Sequence, residues 1–527
     1  MAAGRSAMSD FPSQDILAKA LLNPAVFGPD ITRIETIETH ISYIFLAGDY
    51  AYKIKKAVEL GFLNFSTLDL RHFYCQEELR LNRRYAPALY LEVLPITGTY
   101  SNPVLNGGGV PIEWAVKMQR FAERDRLDHM LANDLLTPQH IDMLAQNIAG
   151  FHFAADITTL ESFGSLAAIA EPALANFAPL RTALPSAGDQ SDLDKLQAWT
   201  EQRLEDLQAT FAARKINGFV RECHGDLHLG NIALVDDAIT LFDCLEFSAE
   251  LRWIDTISEV AFLLMDIQHK GRGDLGRRFL NGYLEASGDY AGLSVLDFYC
   301  VYRALVRAKV ASLRARQEGI DAAQKAALAA EARSYIRAAQ QFTTHPAPAL
   351  IITHGVSGSG KTWGTQDLLE RIGALRLRSD VERKRLQGLT ALARTDAGIA
   401  QAEYKPEATA RTYSRLLNLG AAVMGAGYTV IVDATFLQRA QRDEFRHQAQ
   451  RAGVRFYILH FFSDEATLRR RIATRLELHN DASEADGAVL DYQLATQEPL
   501  GADELAEVVN CGSAQLMRLQ RSEARSF

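Results

Sequence analysis

The sequence is short of cysteine, and the five it has, Cys75, Cys223, Cys244, Cys300 and Cys511, are scattered without a Cys-x-x-Cys pair. That spacing suggests neither a zinc site nor a disulfide framework. Cys223 and Cys244 read as small apolar residues beside a sheet. Long hydrophobic runs are also missing, so no stretch reaches the length of a membrane helix. The opening segment, Met1 to Asp10, lacks the basic and apolar regions of a secretory signal, and the expectation is a cytoplasmic protein with no membrane association. Nor is there a basic excess. A net charge of -9 and a pI near 5.9 argue against coating nucleic acid by bulk electrostatics, while leaving room for a local basic groove.

What is present suffices for stable cores. The chain has 527 residues, 48% of them hydrophobic and 23% charged. That length exceeds one hydrophobic core and favours about two to four folding units.

The densest chemistry lies between His224 and Asp243. His224-Gly225-Asp226-Leu227-His228-Leu229-Gly230-Asn231 is followed by an apolar run, Ile232 to Val235, a turn at Asp236-Asp237, and a second run, Ile239 to Phe242, ending on Asp243. Two short apolar runs about a turn predict a hairpin that carries Asn231 and Asp243 to the same end of a sheet. Asp226 is placed to take a proton from a hydroxyl, while Asn231 and Asp243 offer hard oxygen ligands to a Mg2+ ion holding nucleotide phosphates. This signature resembles that of the aminoglycoside phosphotransferase family, small-molecule relatives of the protein kinases. The resemblance implies a bilobal protein-kinase-like fold, ATP as phosphate donor with GTP as an alternative, and a small hydroxylated molecule as acceptor.

Such a fold needs a small sheet ahead of a helical lobe, and the chain supplies the pattern. Ile37 to Leu46 and Tyr50 to Ile54 alternate as antiparallel strands about a turn at Ala47-Gly48-Asp49. Lys53 is the first choice for the lysine on the α and β phosphates, and Lys55 the second, because a period of two puts it on the same face. A glycine-rich loop is missing; Thr39-His40-Ile41-Ser42 would cover the phosphates instead. Ser66 with Asp69 resembles a capping box opening a helix that runs to about Tyr85. Glu77 and Glu78 both qualify by position to pair with the lysine, and the resemblance favours Glu78. Glu113 to Phe121 reads as the hinge strand, with backbone groups of Val116 to Met118 meeting adenine. Helical pattern follows over Leu127–Phe153 and Leu193–Arg214. Past the signature, Asp255 resembles the buried acid that braces the catalytic loop, and His224 and His228 read as loop-bracing residues. Helices continue from Leu275 to Gln341.

A short proline-bearing stretch, residues 343–349, reads as a linker between a first domain spanning 15–342 and a second spanning 350–520. The second opens with a strand, Leu350 to Thr353, and then Gly355-Val356-Ser357-Gly358-Ser359-Gly360-Lys361-Thr362. The backbone of Gly355, Ser357, Gly358, Ser359 and Gly360 would curl around phosphates, Lys361 would reach the β and γ groups, and Thr362 would bind Mg2+. Asp380 follows a second strand at the mouth of the sheet, where an acceptor hydroxyl gives up its proton. Asp433 ends a β-rich run at the carboxyl edge, where ligands of parallel sheets collect. Asp433-Ala434-Thr435-Phe436 with Arg439 and Arg442 resembles the P-loop kinases related to polynucleotide kinase and zeta-type toxins. It implies a three-layer α/β/α domain with a parallel sheet, Asp433 as the Mg2+ orienter and the two arginines at the acceptor. Phe456 to Phe462 is a further strand, and Ser463-Asp464 caps a helix whose Arg471 and Arg475, one turn apart, suit a lid over the transferred phosphate. Asp481 to Asp486 extends that likeness, and Leu505 to Val509 is expected to close the sheet. The acceptor here is a small molecule, a nucleotide or a polynucleotide end.

The whole is thus α/β and α+β, two domains. It looks like the bacterial proteins described as bifunctional aminoglycoside phosphotransferase and ATP-binding protein, which implies two kinase sites. The competing reading is one active kinase domain regulated by a nucleotide-sensing second domain.

Overall fold

A computed structural model describes residues 11–60, 63–316, 319–391, 393, 406–478 and 482–511. Asp481 and the expected end of the second domain, 512–520, lie outside them. The chain packs as two compact units that cut across the linear order. One holds residues 1–140, 154–168 and 215–263; the other holds 141–153, 169–214 and 264–527.

The first unit is built on a six-stranded antiparallel sheet. Its strands are β1 (Ile34–Glu38), β2 (Ser42–Ala47), β3 (Tyr50–Lys55), β4 (Tyr90–Thr99), β5 (Asn102–Leu105) and β6 (Glu113–Gln119), in the spatial order β1-β2-β3-β6-β4-β5. Gly48 makes the tight β2–β3 turn with φ +59°, where a Cβ would sit 2.8 Å from the Ile31 side chain. Phe45, Tyr52, Ile54, Leu94, Ile96 and Ala115 close one face against the helix Phe11–Ala20. The helix Leu68–Asn82 covers the sheet through Cys75 and Leu79, which pack with Tyr90 and Val116.

That helix begins one residue later than its sequence suggests. Thr67 is the cap, accepting from Leu70 N, while Ser66 donates to Asn64 Oδ1 at 2.6 Å. It also stops at Asn82, short of Tyr85. The expected helical stretch Leu127–Phe153 is two helices, Leu127–Ala132 and Pro138–Ala154, parted where Asp134 takes φ +56° ahead of Pro138. Likewise Leu193–Arg214 resolves into Ala187–Asp206 and Gln208–Ile216.

Two small antiparallel pairs carry the signature. β7 (Val220–Glu222) pairs with β10 (Trp253–Asp255), and β8 (Ile232–Val235) with β9 (Ala238–Leu241). The expected hairpin is there. Asp236 and Asp237 both take positive φ, +49° and +60°, the backbone of a two-residue turn that matches strand twist.

The second unit contains a five-stranded parallel sheet of β11 (Ala349–His354), β12 (Leu375–Arg378), β13 (Val430–Asp433), β14 (Arg455–His460) and β15 (Val508–Asn510), ordered β12-β13-β11-β14-β15. β11 and β13 are buried throughout, which explains why they read as unbroken apolar runs rather than alternating ones. β12 is an edge strand, and the helix Gly273–Ser287 covers it. Asn281 donates to Ala374 O at 3.1 Å and accepts from Arg376 N at 2.8 Å, satisfying backbone that an open edge would leave to another chain. Arg278–Glu370 and Arg378–Glu285 ion pairs flank it. The segment 343–349 is tied down as well, since His345 and Tyr428 share the Asp297 carboxylate at 2.7 and 2.8 Å.

Candidate active sites

In the first unit, the loop after β7 is zipped to the strand-end at Asp243 by backbone. Phe242 N donates to Asn231 O, Leu245 N to His224 O, and His224 Nε2 donates to Phe242 O, all at 2.9–3.0 Å. Asn231 Nδ2 donates to Asp226 O at 2.9 Å and to Asp226 Oδ2 at 3.2 Å, so its amide oxygen is the atom that could hold a cation. Asp243 stands in the left-handed region, φ +62°, a strain a non-glycine residue tolerates where its side chain must be aimed. So Asp226, Asn231 and Asp243 are gathered rather than splayed, and their oxygens suit a hard divalent cation.

Lysine reaches this group from β3. Lys53 Nζ lies 2.8 Å from Glu78 Oε1 and 2.5 Å from Asp243 Oδ1. Glu78 is completely buried, and although burial opposes its charge, Lys53 and Lys55 draw its carboxyl down to about 2. Glu77 faces away from the lysines, bonded to Arg80, so the open choice between the two acids resolves to Glu78. Lys55 is also in place, 2.6 Å from Glu78 Oε2.

One expectation for this site needs correction. Val116 is registered with Lys53 on one side and Val93 on the other, and Met118 with Ala51 and Tyr90. A strand flanked on both sides spends its backbone groups on the ladder, so Val116 to Met118 cannot also meet adenine. The chain leaves the ladder only after Gln119, and there Phe121 packs edge-on against Phe242, beside Asp243. Asp255 is buried and accepts from Ile257 N ahead of its helix, and a second carboxylate, Glu259, accepts from Gly225 N of the loop at 2.8 Å. Burial lowers the His224 imidazole, which suits a neutral bracing ring. Thr39 Oγ1 accepts from Ile41 N and Ser42 N, so this hydroxyl folds the β1–β2 turn in place of glycines.

Sequence reasoning missed Asn82 and Tyr90. Asn82 Oδ1 accepts from Cys244 N at 2.9 Å and the Tyr90 hydroxyl accepts from Asp243 N at 3.0 Å, so both fix the strand end at Asp243. Asn82 lies one helical turn past Glu78, a spacing that signals a shared face.

In the second unit, the loop Gly355–Gly360 bridges β11 and the helix Lys361–Ile372. Gly355 has φ +149°, and a Cβ there would meet Phe461 O at 2.3 Å; Gly358 and Gly360 have φ +80° and +95°. Lys361 Nζ folds back over the loop onto Gly355 O and Val356 O, both at 2.9 Å. Thr362 Oγ1 donates to Asp433 Oδ2 at 2.6 Å, so hydroxyl and carboxylate form one corner with the donor chemistry Mg2+ prefers. Ser357 N donates to Gln493 Oε1, and the Ser359 hydroxyl is buried without a hydrogen-bond partner among the described residues. Burial lowers Lys361 to about 8 despite Asp433 and Asp380 nearby.

Asp380 opens the helix Ser379–Arg385 and pairs with Arg383 at 2.9 Å. Burial alone would raise its carboxyl, but Arg383, Arg378 and Arg475 hold it below the usual carboxylate range. Arg471 Nη1 donates to Gly358 O at 3.2 Å, and Arg475 Nη2 to Ala485 O at 2.8 Å. The helix Glu465–Leu478 therefore sets one arginine on the loop and the next within the field of Lys361 and Asp380, while Arg469 is spent on Glu465 and Asp491 at the surface. Asp464 caps this helix as expected, accepting from Thr467 N.

Arg442 is not an acceptor ligand. It is 1% exposed, pairs with the fully buried Glu504, and donates to Phe436 O and Pro499 O. Arg439 is occupied by Asp443 and Asp503. Both arginines fasten the Asp433 strand-end to the segment before β15. Arg442→Ala strands the Glu504 charge and is expected to cost about 3–5 kcal/mol, read as a lower urea midpoint, with an Arg442→Met/Glu504→Leu pair recovering most of it. Another unexpected feature is a histidine pair behind the loop. His354 Nδ1 and His460 Nδ1 share a hydrogen bond at 2.8 Å, and burial, then His460, push His354 down to about 3. A neutral ring therefore precedes Gly355 at neutral pH.

Comparison with known proteins finds two family matches along the chain. Residues 107–299 match the model of the phosphotransferase enzyme family, and residues 350–500 match that of the AAA domain. Uncharacterised proteins of Mycobacterium bovis and Mycobacterium tuberculosis are 32% identical over 407 residues, 76% of this chain and 78% of theirs. Among solved structures, a choline/ethanolamine kinase family protein from Mesorhizobium loti is 12% identical with TM-score 0.38, covering 62% of this chain and 99% of its own. A sugar kinase from Janibacter sp. is 21% identical with TM-score 0.26, covering 33% of this chain and 92% of its own.

Proposed function

Since this chain belongs to one family with the mycobacterial proteins, and joins a domain of the phosphotransferase enzyme family to an AAA domain, we propose that both of its sites transfer the γ-phosphate of ATP to a hydroxyl group. The two functional domains are 15–342 and 350–520, joined by 343–349. The observation that carries the reading is duplication: a phosphate-holding lysine, a candidate base and oxygen ligands for a cation are complete twice. In the first site these are Lys53, Asp226, and Asn231 with Asp243; in the second, Lys361, Asp380, and Thr362 with Asp433.

At the first site Asp226 accepts the proton of a small alcohol as its oxygen attacks phosphorus, and Lys53, steadied by Glu78, holds the donor phosphates. Bound Mg2+ supplies neutralisation of phosphate charge at Asn231 and Asp243, and at Thr362 and Asp433. At the second site the loop amides and Lys361 hold the phosphates, Arg471 and Arg475 close over the transferred group, and Asp380 orients an acceptor hydroxyl. Its acceptor is a small molecule or a nucleotide. ATP is the donor at both, with GTP the alternative at the first. Among the described residues no helix is long and apolar enough to cross a membrane, in keeping with work on dissolved substrates. The test is a metabolite screen with γ-labelled ATP: labelled phosphate esters are expected, and labelled inorganic phosphate alone, across a broad extract, would refute transfer to alcohols.

The Lys361 ammonium adds a pH signature. Phosphate binds its protonated form, and the free group loses its proton above about 8. Nucleotide affinity at the second site is therefore expected to fall as pH rises through that value, by up to about tenfold per pH unit. Calorimetric titration of a Lys53→Met chain reads it, and Lys361→Arg should flatten the dependence.

A further inference from the structure

Kinase-type chemistry at the first site uses one lysine, yet β3 buries two. Lys53 and Lys55 project from the same face, and the two oxygens of Glu78 are divided between them, Oε1 to Lys53 at 2.8 Å and Oε2 to Lys55 at 2.6 Å. Lys55 is 1% exposed and also bonded to Glu246, itself 5% exposed. A buried ammonium is costly unless closely paired, so its retention at the heart of the site calls for a role.

The sequence positions make that role visible. Asp243 and Glu246 are three residues apart on one segment; Lys53 and Lys55 are two apart on one strand. Asp243 pairs with Lys53 and Glu246 with Lys55, so the segment is fastened to β3 at both ends. Between those points Cys244 N is held by Asn82 Oδ1, and Asn82 Nδ2 donates to Glu78 O, returning to the same acid. The strand end is fixed from outside too. Gln14 donates to Lys55 O at 2.9 Å and to Glu113 Oε2 at 2.7 Å, and Glu113 is locked by Arg71.

Resting on the phosphotransferase reading, we propose that Lys55 and Glu246 are positioning residues of the first site: their ion pair clamps the Asp243 segment onto β3 and sets the aim of its metal-facing oxygens and of the Lys53–Glu78 pair. Neither touches the nucleotide. Without the clamp, the Asp243 backbone still holds the Tyr90 hydroxyl, but its carboxylate rests on Lys53, which must also serve the donor phosphates. Burial opposes both charges: it leaves the Glu246 carboxyl raised despite Lys55, whereas at Lys55 Glu246 and Glu78 outweigh burial and raise the ammonium.

The test uses the full chain with its second nucleotide site disabled by Lys361→Ala. Mn2+ affinity in the presence of ATP is followed by electron paramagnetic resonance, and γ-phosphate release to water gives turnover. Lys55→Met and Glu246→Gln are each expected to weaken Mn2+ binding about tenfold and to slow turnover about 10–100-fold, and the double variant to be no worse than the poorer single one, as for two groups acting as a unit. Lys55→Arg, which keeps the charge, should restore Mn2+ affinity to within about threefold. Because Lys55→Met takes the lysine partner from a buried acid, the Lys55→Met/Glu246→Leu chain, in which neither charge remains, serves as the folding control: it should melt like its parent and still bind Mn2+ weakly. If that chain, or either single variant, binds Mn2+ as tightly as the parent, the positioning role is overturned while the phosphotransferase reading stands. If the parent itself binds no Mn2+–ATP at this site, both fail together.

Discussion

Asp226→Asn is expected to slow phosphoryl transfer by the first domain by about 10²–10⁴-fold, the usual contribution of a positioned base. Nucleotide binding should be nearly unchanged. The side chain holds no phosphate; its neighbours are Asn231 Nδ2 at 3.2 Å and His228 Nε2 at 3.6 Å. An asparagine preserves size and the contact with Asn231 but has no lone-pair charge with which to draw a proton from the attacking alcohol. The expected pattern is therefore a lower kcat with an unaltered KM for ATP, measured on an acceptor found by the labelling screen. A loss of only a few-fold would mean that the alcohol surrenders its proton elsewhere, and Asp226 would then be a positioning residue like His224.

At the second site the largest effect is expected from Lys361→Met. This ammonium sits on two loop carbonyls, Gly355 O and Val356 O, from which a phosphate must draw it. Removing it takes away the ammonium that spans the start of the loop, and transfer should fall by about 10²–10³-fold, with ATP affinity falling as well. Both parameters move, unlike the Asp226 case, because this group binds donor phosphates in ground and transition states alike. The first domain's rate should not change. Full second-site activity in Lys361→Met would place the donor phosphates away from the loop.

Much of this was legible in the letters, for physical reasons. The phosphate loop was readable because three glycines with positive φ, a lysine and a threonine must lie in fixed succession between a strand and a helix. The hairpin was readable because two aspartates tolerate the left-handed turn that Asp236 and Asp237 adopt. Glu78 was chosen over Glu77 through family likeness, since position alone allowed both; what separates them is that only one points at β3. The residues that eluded sequence reasoning are those whose meaning depends on distant partners. Arg442 looked like a site arginine until Glu504, sixty-two positions on, claimed it. Glu259 braces Gly225 across thirty-four residues, and nothing in its own helix distinguishes it. The hinge was misplaced because a strand's identity can be read from its apolar pattern, but whether it has a neighbour on each side cannot. Val116 to Met118 turned out to be central, with β3 and β4 on its flanks.

The central claim is that one chain holds two independent phosphotransferase sites, and it is tested most directly by product partition. The parent chain, Asp226→Asn, Lys361→Met and the double variant are each incubated with a metabolite extract and γ-labelled ATP, and the labelled esters are resolved by mass spectrometry. Two product sets are predicted, one missing from Asp226→Asn alone, the other missing from Lys361→Met alone, and neither present in the double variant. Loss of every labelled ester in one single variant, with the other indistinguishable from the parent, would contradict it and leave a single working site.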